Sequence, residues 1–291
     1  KEWKGKNRIM IQDISPKIYH NEYRESVPSP ADTVLLFRDR EVLVKRDAAG
    51  NIGFPRLEEL GDSCRILSYL FDISGEDYFL GRLTGEAPEG YSFENVKIFR
   101  VARPKDRAFA GITGFQLSEW YAKHRFCGRC GGRMERDRRE RMLYCPSCGN
   151  QVYPTISPAV IIGVIHRGKL LMSKYAGRDY KKFALIAGFN EIGETIEETV
   201  HREVMEEVGL KVKNLTYYKS QPWPFTGTLL MGFFCELDGE DETIVLEEDE
   251  LSEAGWYPPE EVPEDEEKIA LTREMMTVFR TGRVNLKREE K

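Results

Sequence analysis

The stretch Gly188–Leu210 reads GFNEIGETIEETVHREVMEEVGL, and its second half has the pattern of a helix. Ile196, Val200, Val204 and Val208 recur at helical spacing and give one apolar stripe. Thr195, with Glu198 three residues on, predicts an N-terminal capping box, and Gly209 followed by Leu210 predicts the stop. Glu203, Glu206 and Glu207 stand at i, i+3 and i+4, so their side chains are expected on one accessible face, with Glu194 reaching back from the preceding turn. Carboxylates this close repel one another unless positive charge sits among them. Hard oxygen donors with no cysteine or histidine beside them suit Mg²⁺ or Mn²⁺. Arg202 is placed to pair with a carboxylate and hold the cluster's shape. A charged surface helix is the plainer reading of E-x-x-E-E, and the flanking glycines and apolar stripe argue against it.

Gly188, Glu194, Arg202, Glu203, Val204, Glu206, Glu207, Gly209 and Leu210 fill every fixed position of G-x5-E-x7-R-E-U-x-E-E-x-G-U, where U is a bulky aliphatic residue. In this the chain resembles the Nudix hydrolases. The resemblance implies an α/β fold with a Nudix α/β/α sandwich, and cleavage of a nucleoside diphosphate linked to another moiety.

Outward from that stretch, 291 residues with 41% hydrophobic and 32% charged residues suit two sizeable domains or one large one. A net charge of −6 gives no general footprint for nonspecific nucleic-acid binding. Neither a membrane-spanning apolar run nor a secretory signal pattern is visible, so the cytoplasm is the expected compartment.

Three regions are expected: an N-terminal α+β domain over 1–122, a zinc ribbon over 123–152 and a Nudix hydrolase domain over 153–291. In the first, Thr33–Phe37 and Glu41–Val44 predict a hairpin. Leu60–Phe71 reads as helix into strand, Asp77–Leu83 and Asn95–Ala102 as strands, and Pro104–Ala122 as a helix, with Gly111 and Gly114 arguing against it. Cys64, and Cys235 further on, read as buried thiols.

The second region holds Cys127-Gly-Arg-Cys130 and Cys145-Pro-Ser-Cys148, two C-x2-C knuckles separated by fourteen residues. Four thiolates at that spacing close a tetrahedral Zn²⁺ site with no open position, which makes the ion structural. Disulfides are disfavoured in an acidic chain without a visible signal. Arg129, Arg133, Arg136, Arg138, Arg139 and Arg141 suggest nucleic-acid binding, but Glu135, Asp137 and Glu140 alternate with them and point to a solvated hairpin. Trp120 and His124 read as packing residues.

In the third region, Ala159–Ile165 and Leu170–Ser173 predict buried strands, and Phe183–Phe189 leads into the acidic helix. Leu210–Ser220 and Leu229–Leu237 follow as strands, with Thr243–Leu246 as a short one, Gly255–Tyr257 starting another and Glu266–Phe279 as a final helix. Between strands, Ser220-Gln221-Pro222-Trp223-Pro224-Phe225 predicts a stiff extended loop. Trp223 there either stacks on a flat ring or covers core.

SQPWPF behind the acidic helix resembles the marker of the NADH pyrophosphatase branch of the Nudix hydrolases. That branch also has a four-cysteine ribbon behind a separate N-terminal domain. The resemblance implies hydrolysis of NADH or NAD⁺ to AMP and nicotinamide mononucleotide, and also removal of an NAD cap from RNA. It implies a homodimer, with Mg²⁺ or Mn²⁺ on Glu203, Glu206, Glu207 and Glu250. Phe189 and Tyr153 match positions that sandwich a ring, the tyrosine coming from the partner subunit. Ala270 matches a position meeting the nucleotide through its backbone, and Ser220, Gln221, Trp223, Phe225 and Thr228 lie in or beside the marker. The marker's usual Pro-x-Ser after Phe225 is Thr226-Gly227-Thr228 here, which loosens the turn and bears on dinucleotide preference. The alternatives are a Nudix hydrolase of ADP-ribose or a similar diphosphate, and a noncatalytic zinc-ribbon binding module.

Overall fold

Strands β2 (Thr33–Arg38) and β3 (Glu41–Arg46) form the expected hairpin, with Val34, Leu35, Leu36, Val42, Leu43 and Val44 at most 1% exposed. The structure, a computed structural model, describes residues 10–177 and 181–286, so the outermost ends of the expected domain ranges lie outside the described residues. These divide into two compact units. One is Ile11–Thr155 with Pro224–Gly227; the other is Met10, Ile156–Trp223 and the residues from Thr228 on.

In the first unit, β1 (Tyr19–His20), β4 (Ile52–Gly53), β5 (Cys64–Ile73), β6 (Glu76–Leu83) and β7 (Ser92–Asn95) join the hairpin. The order is β1-β5-β6-β2-β3-β4, with β7 on β3. One helical turn, α1 (Leu57–Leu60), precedes β5. The strand expected over Asn95–Ala102 is absent. Asn95 Oδ1 accepts from Lys97 N at 3.0 Å and caps a 3₁₀ turn, Val96–Arg100, that buries Val96 and Phe99 at the i, i+3 spacing of such a turn. Helix α2 (Lys105–Lys123) forms as predicted. Its two glycines answer to packing: a Cβ at Gly111 would overlap the Phe99 ring, and one at Gly114 would overlap Leu35. Three short strands, β8 (Glu135–Arg136), β9 (Leu143–Tyr144) and β10 (Gln151–Val152), make the ribbon's sheet. Cys64 is half-buried and Cys235 fully buried.

The second unit is an α/β/α sandwich. Its sheet runs β14 (Val212–Trp223), β15 (Thr228–Leu237), β11 (Ser157–His166), β12 (Lys169–Tyr175), β16 (Leu251–Tyr257), with β13 (Ile186–Phe189) also on β11. Alternation along β11 sends Val160, Ile162 and Val164 toward α3 (Ile196–Val208), where they pack with Val200, Val204 and Val208. Ile161 faces the other way, into a core with Leu271, Met275 and Met276 of α4 (Leu271–Arg280). Among the described residues no helix is long and apolar enough to cross a membrane.

Four expectations in this unit need correction. Ser220–Trp223 is the end of β14, not a loop. Pro222 faces Leu229, and a proline is tolerated there because β14 is an edge strand. Thr243–Leu246 is not a strand, because the N–H groups of Val245 and Glu247 are taken by the carbonyls of Val208 and Glu207 at the end of α3, both at 3.0 Å. Gly255–Tyr257 ends β16 instead of starting a strand. The last helix begins at Leu271, since Lys268 has φ 52° and its N–H is held by Asp265 Oδ1 in a local turn.

Candidate active site and zinc site

Helix α3 is fixed at both ends. Thr195 Oγ1 accepts from Glu198 N at 3.2 Å while Glu198 Oε2 accepts from Thr195 N at 2.7 Å. Gly209, at φ 71°, adopts the left-handed closing conformation and donates to Met205 O at 3.0 Å. The valine stripe then sets the helix rotation. Glu203 and Glu207 each precede a core valine, about 100° around the helix, and are 8% and 2% exposed. The expected accessible acidic face is therefore mostly buried, and Glu206, with a side chain 59% exposed, is the open member.

Arg202 joins the cluster. Its Nε and Nη2 donate to the two oxygens of Glu194 at 2.5 and 3.0 Å. Nη1 donates to Glu203 Oε1 at 2.8 Å and Glu206 Oε2 at 2.9 Å, and Nη2 also reaches the Phe189 carbonyl at 2.9 Å. This two-pronged pairing holds the Glu194 carboxyl down to about 2. Glu203 moves the other way: burial raises its pKa, Arg202 opposes this, and the fields of Glu206 and Glu250 add to the rise.

Glu203 is seated against Gly188. A Cβ there would overlap its carboxyl carbon and both oxygens. Gly188 lies on β13, opposite Val160 of β11, so the backbone cannot move aside cheaply. Gly188→Ala is expected to displace the carboxylate and lower kcat at least about tenfold while circular dichroism stays unchanged, because a misplacement near 1 Å costs about a hundredfold in rate. Wild-type kcat in that variant would show that the seat is not needed.

Three carboxylates gathered around one guanidinium, one of them buried in a glycine-lined seat, with the buried Glu207 one turn along from Glu203, fit a divalent cation with hard-oxygen preference. Glu250, in the turn before β16, is exposed and acts on Glu203 through its field. The oxygens do not form a closed cage. Among the described residues, Cys127, Cys130, Cys145 and Cys148 are the one group of three or more potential ligands whose donor atoms all lie within 4.8 Å.

That cysteine group is built from two like turns. Gly131 N donates to Cys127 O at 2.8 Å and Gly149 N to Cys145 O at 2.9 Å, with φ of 72° and 71° at the two glycines. The Sγ atoms of Cys127 and Cys148 are 3.7 Å apart, and those of Cys130 and Cys145 3.5 Å. A tetrahedron with Zn–S of about 2.3 Å has edges of about 3.8 Å, so the set fits a structural metal ion. Burial pushes the Cys127 thiol up, but the N–H groups of Arg129 and Cys130 and the adjoining thiols bring it down to about 6, toward the thiolate a metal needs. His124 Nδ1 lies 2.8 Å from Trp120 O, a structural bond as expected.

The expected ring-binding residues divide. Phe189, at the end of β13, is 55% exposed. Tyr153 is 51% exposed, belongs to the other unit, and donates to Glu140 Oε2 at 2.7 Å. Ser220 and Trp223 lie half-buried on β14. Phe225, in the turn grouped with the first unit, has the Arg100 guanidinium 5.7 Å from its ring centroid. Thr228 is 4% exposed. Ala270 is the N-cap of α4, and its carbonyl accepts from Glu274 N at 3.1 Å.

Gln221 is fully buried, and its amide is engaged at the start of α4: Nε2 donates to Ile269 O at 2.7 Å and Oε1 accepts from Leu271 N at 2.6 Å. Gln221→Leu would leave both backbone groups without their side-chain partner, for a loss of about 1–3 kcal/mol each. A fall in the thermal midpoint of several degrees is expected, and an unchanged midpoint would refute the clasp. Reading the sequence alone also missed Glu274, 3% exposed on α4, which accepts from Tyr218 Oη and Lys219 Nζ, both at 2.6 Å. An acid beside Met275 and Met276 on an apolar face is the signal that marks it.

Residues 156–277 match the NUDIX domain family, and residues 122–153 match the NADH pyrophosphatase zinc ribbon domain. Among curated proteins, the NAD-capped RNA hydrolase NudC of Enterobacter sp. (strain 638) is 43% identical over 150 residues, covering 52% of this chain and 57% of that protein. The proteins of the same name from Salmonella schwarzengrund (strain CVM19633) and Shigella flexneri are each 42% identical over 150 residues, 52% of this chain and 58% of theirs. The matched stretch thus spans a little over half the length of these relatives. Residues 122–277 thus carry a Nudix domain directly behind an NADH pyrophosphatase zinc ribbon.

Proposed function

We propose that this protein hydrolyses the pyrophosphate bridge of NADH or NAD⁺, giving AMP and reduced or oxidised nicotinamide mononucleotide, and that it removes the same dinucleotide cap from RNA 5′ ends. The observation that carries the reading is the carboxylate cluster drawn around Arg202, with Glu203 seated on Gly188. The named activity of the relatives supports the choice of substrate. Glu203, Glu206, Glu207 and Glu250 would hold Mg²⁺ or Mn²⁺, which when bound would supply neutralisation of the phosphates and acidification of a water.

The chain's own groups do the rest. Arg202 keeps Glu194, Glu203 and Glu206 from spreading under mutual repulsion, so the ligand oxygens are in place before substrate arrives. Glu250, exposed and on the Glu203 side of the cluster, takes the water's proton as the P–O bond forms and the bridging P–O bond breaks. Phe189 offers one face of a stacking site, and Tyr153 of the partner subunit closes it in a homodimer. The four cysteines hold Zn²⁺ as a structural ion.

The test is relative kcat/KM across NADH, NAD⁺, ADP-ribose, diadenosine diphosphate and a 5′-NAD RNA. The nicotinamide dinucleotides and the capped RNA are expected to lead. ADP-ribose in first place would refute the dinucleotide reading, and would make Thr226-Gly227-Thr228 the position where specificity moved.

A further inference from the structure

Arg65 and Arg82 stand directly opposite each other on β5 and β6, within the Ile11–Thr155 unit. Like charges in cross-strand register destabilise a sheet. In a chain of net charge −6, carboxylates to relieve them are plentiful, yet neither arginine forms an ion pair among the described residues. A third guanidinium, that of Arg136 on β8, lies 4.8 Å from the Tyr121 ring centroid and has no ion pair there either. Burial lowers its pKa, Tyr121 and Tyr23 oppose this, and the fields of Arg65 and Arg82 add to the lowering.

These three line a cleft of about 650 Å³, a size that suits a small ligand. Arg125, Arg133 and Arg138 extend the lining, and its one acid, Glu135, accepts from Tyr144 Oη at 3.0 Å. Arg138 has only a 3.8 Å approach to the exposed Glu25. The other two acids that alternate with the ribbon's arginines in sequence are engaged elsewhere: Glu140 is bonded to Tyr153, and Asp137 Oδ1 accepts from the backbone of Arg139 and Glu140. Folding therefore separates charges that the sequence interleaves. Phe126, 63% exposed, stands at the cleft with the Arg125 guanidinium 6.0 Å from its ring centroid.

We propose that this cleft is a second anion site, which takes the phosphates of a nucleotide on Arg65, Arg82 and Arg136 with the base against Phe126. Guanidinium forks match phosphate oxygens in pairs, and a bound polyanion offsets the repulsion between Arg65 and Arg82. An exposed ring beside the charges adds sequence-tolerant stacking, which a simple inorganic anion would not use. The chemistry is common to a free nucleotide and to a nucleotide within an RNA chain.

The experiment measures binding of ADP and of a 3′-labelled ten-nucleotide RNA with a 5′-hydroxyl, without added divalent ions, to the whole protein and to Arg65→Gln/Arg82→Gln. The double variant is expected to bind at least one probe tenfold or more weakly. Its thermal midpoint should equal or exceed that of the wild type, because a repulsive pair is gone, and its zinc content should be unchanged. For the RNA, losing two phosphate contacts flattens the slope of log K against log salt by about 1.4. Weakening of ADP alone assigns the site to free nucleotides, of RNA alone to a phosphodiester chain, and of both to the shared phosphate. Unchanged affinities, no binding by the wild type, or a loss that accompanies a lower midpoint would overturn the proposal.

Discussion

Glu206→Gln is expected to lower the proposed hydrolysis by about 10²–10³ and to leave the fold intact. The side chain is 59% exposed and contributes nothing to either core, so its amide analogue keeps the packing of α3 and the acceptor for Arg202 Nη1. What is lost is one negative charge at the place proposed to hold the divalent ion. Removing a single preorganised electrostatic group from an active site costs about 10²–10³ in kcat. The check is single-turnover hydrolysis beside a thermal melt. Activity within twofold of wild type would sink the metal assignment, whereas a collapsed melt would mean that Glu206 is structural. The same substitution at Glu207, 2% exposed, cannot separate these roles because burial couples them.

Cys127→Ser is expected to release the ribbon's metal and unfold residues 123–152 locally. The knuckles are held by few backbone bonds, and the three strands between and after them have two residues each. A structural Zn²⁺ site contributes about 10–16 kcal/mol to the folding of small zinc domains, far more than such a sheet supplies. Metal content should fall well below one per chain, and proteolysis should open between Arg129 and Arg141. The sandwich from Ile156 on has its own cores on both faces of its sheet and should keep its secondary structure. Metal content that stays at one per chain would refute the four-cysteine site.

Much of the candidate site was legible because it is local. The capping box, the valine stripe, Gly209 and the order of the carboxylates all lie within one helix, where spacing fixes direction. The cysteine knuckles are legible for the same reason. Burial of Glu203 and Glu207 was not, since it depends on how far the helix sinks onto β11 and β13. Ser220–Trp223 has the sequence of a loop because prolines argue against strands. Only the sheet order shows that β14 has a free edge on which they are allowed. Asn95 could be read as a cap or a strand end, and the burial of Val96 and Phe99 decides for the 3₁₀ turn. Gln221 and the Arg65–Arg82 pair are products of long-range register, between residues 50 apart in one case and 17 in the other. Periodicity carries no information about either.

The central claim is tested most directly by incubating the protein with NADH and either Mg²⁺ or Mn²⁺ and identifying the products. AMP and reduced nicotinamide mononucleotide in equal amounts, formed only when the divalent ion is present, is the predicted result. Intact NADH under those conditions, or products formed equally well without the ion and with Glu206→Gln, would contradict it.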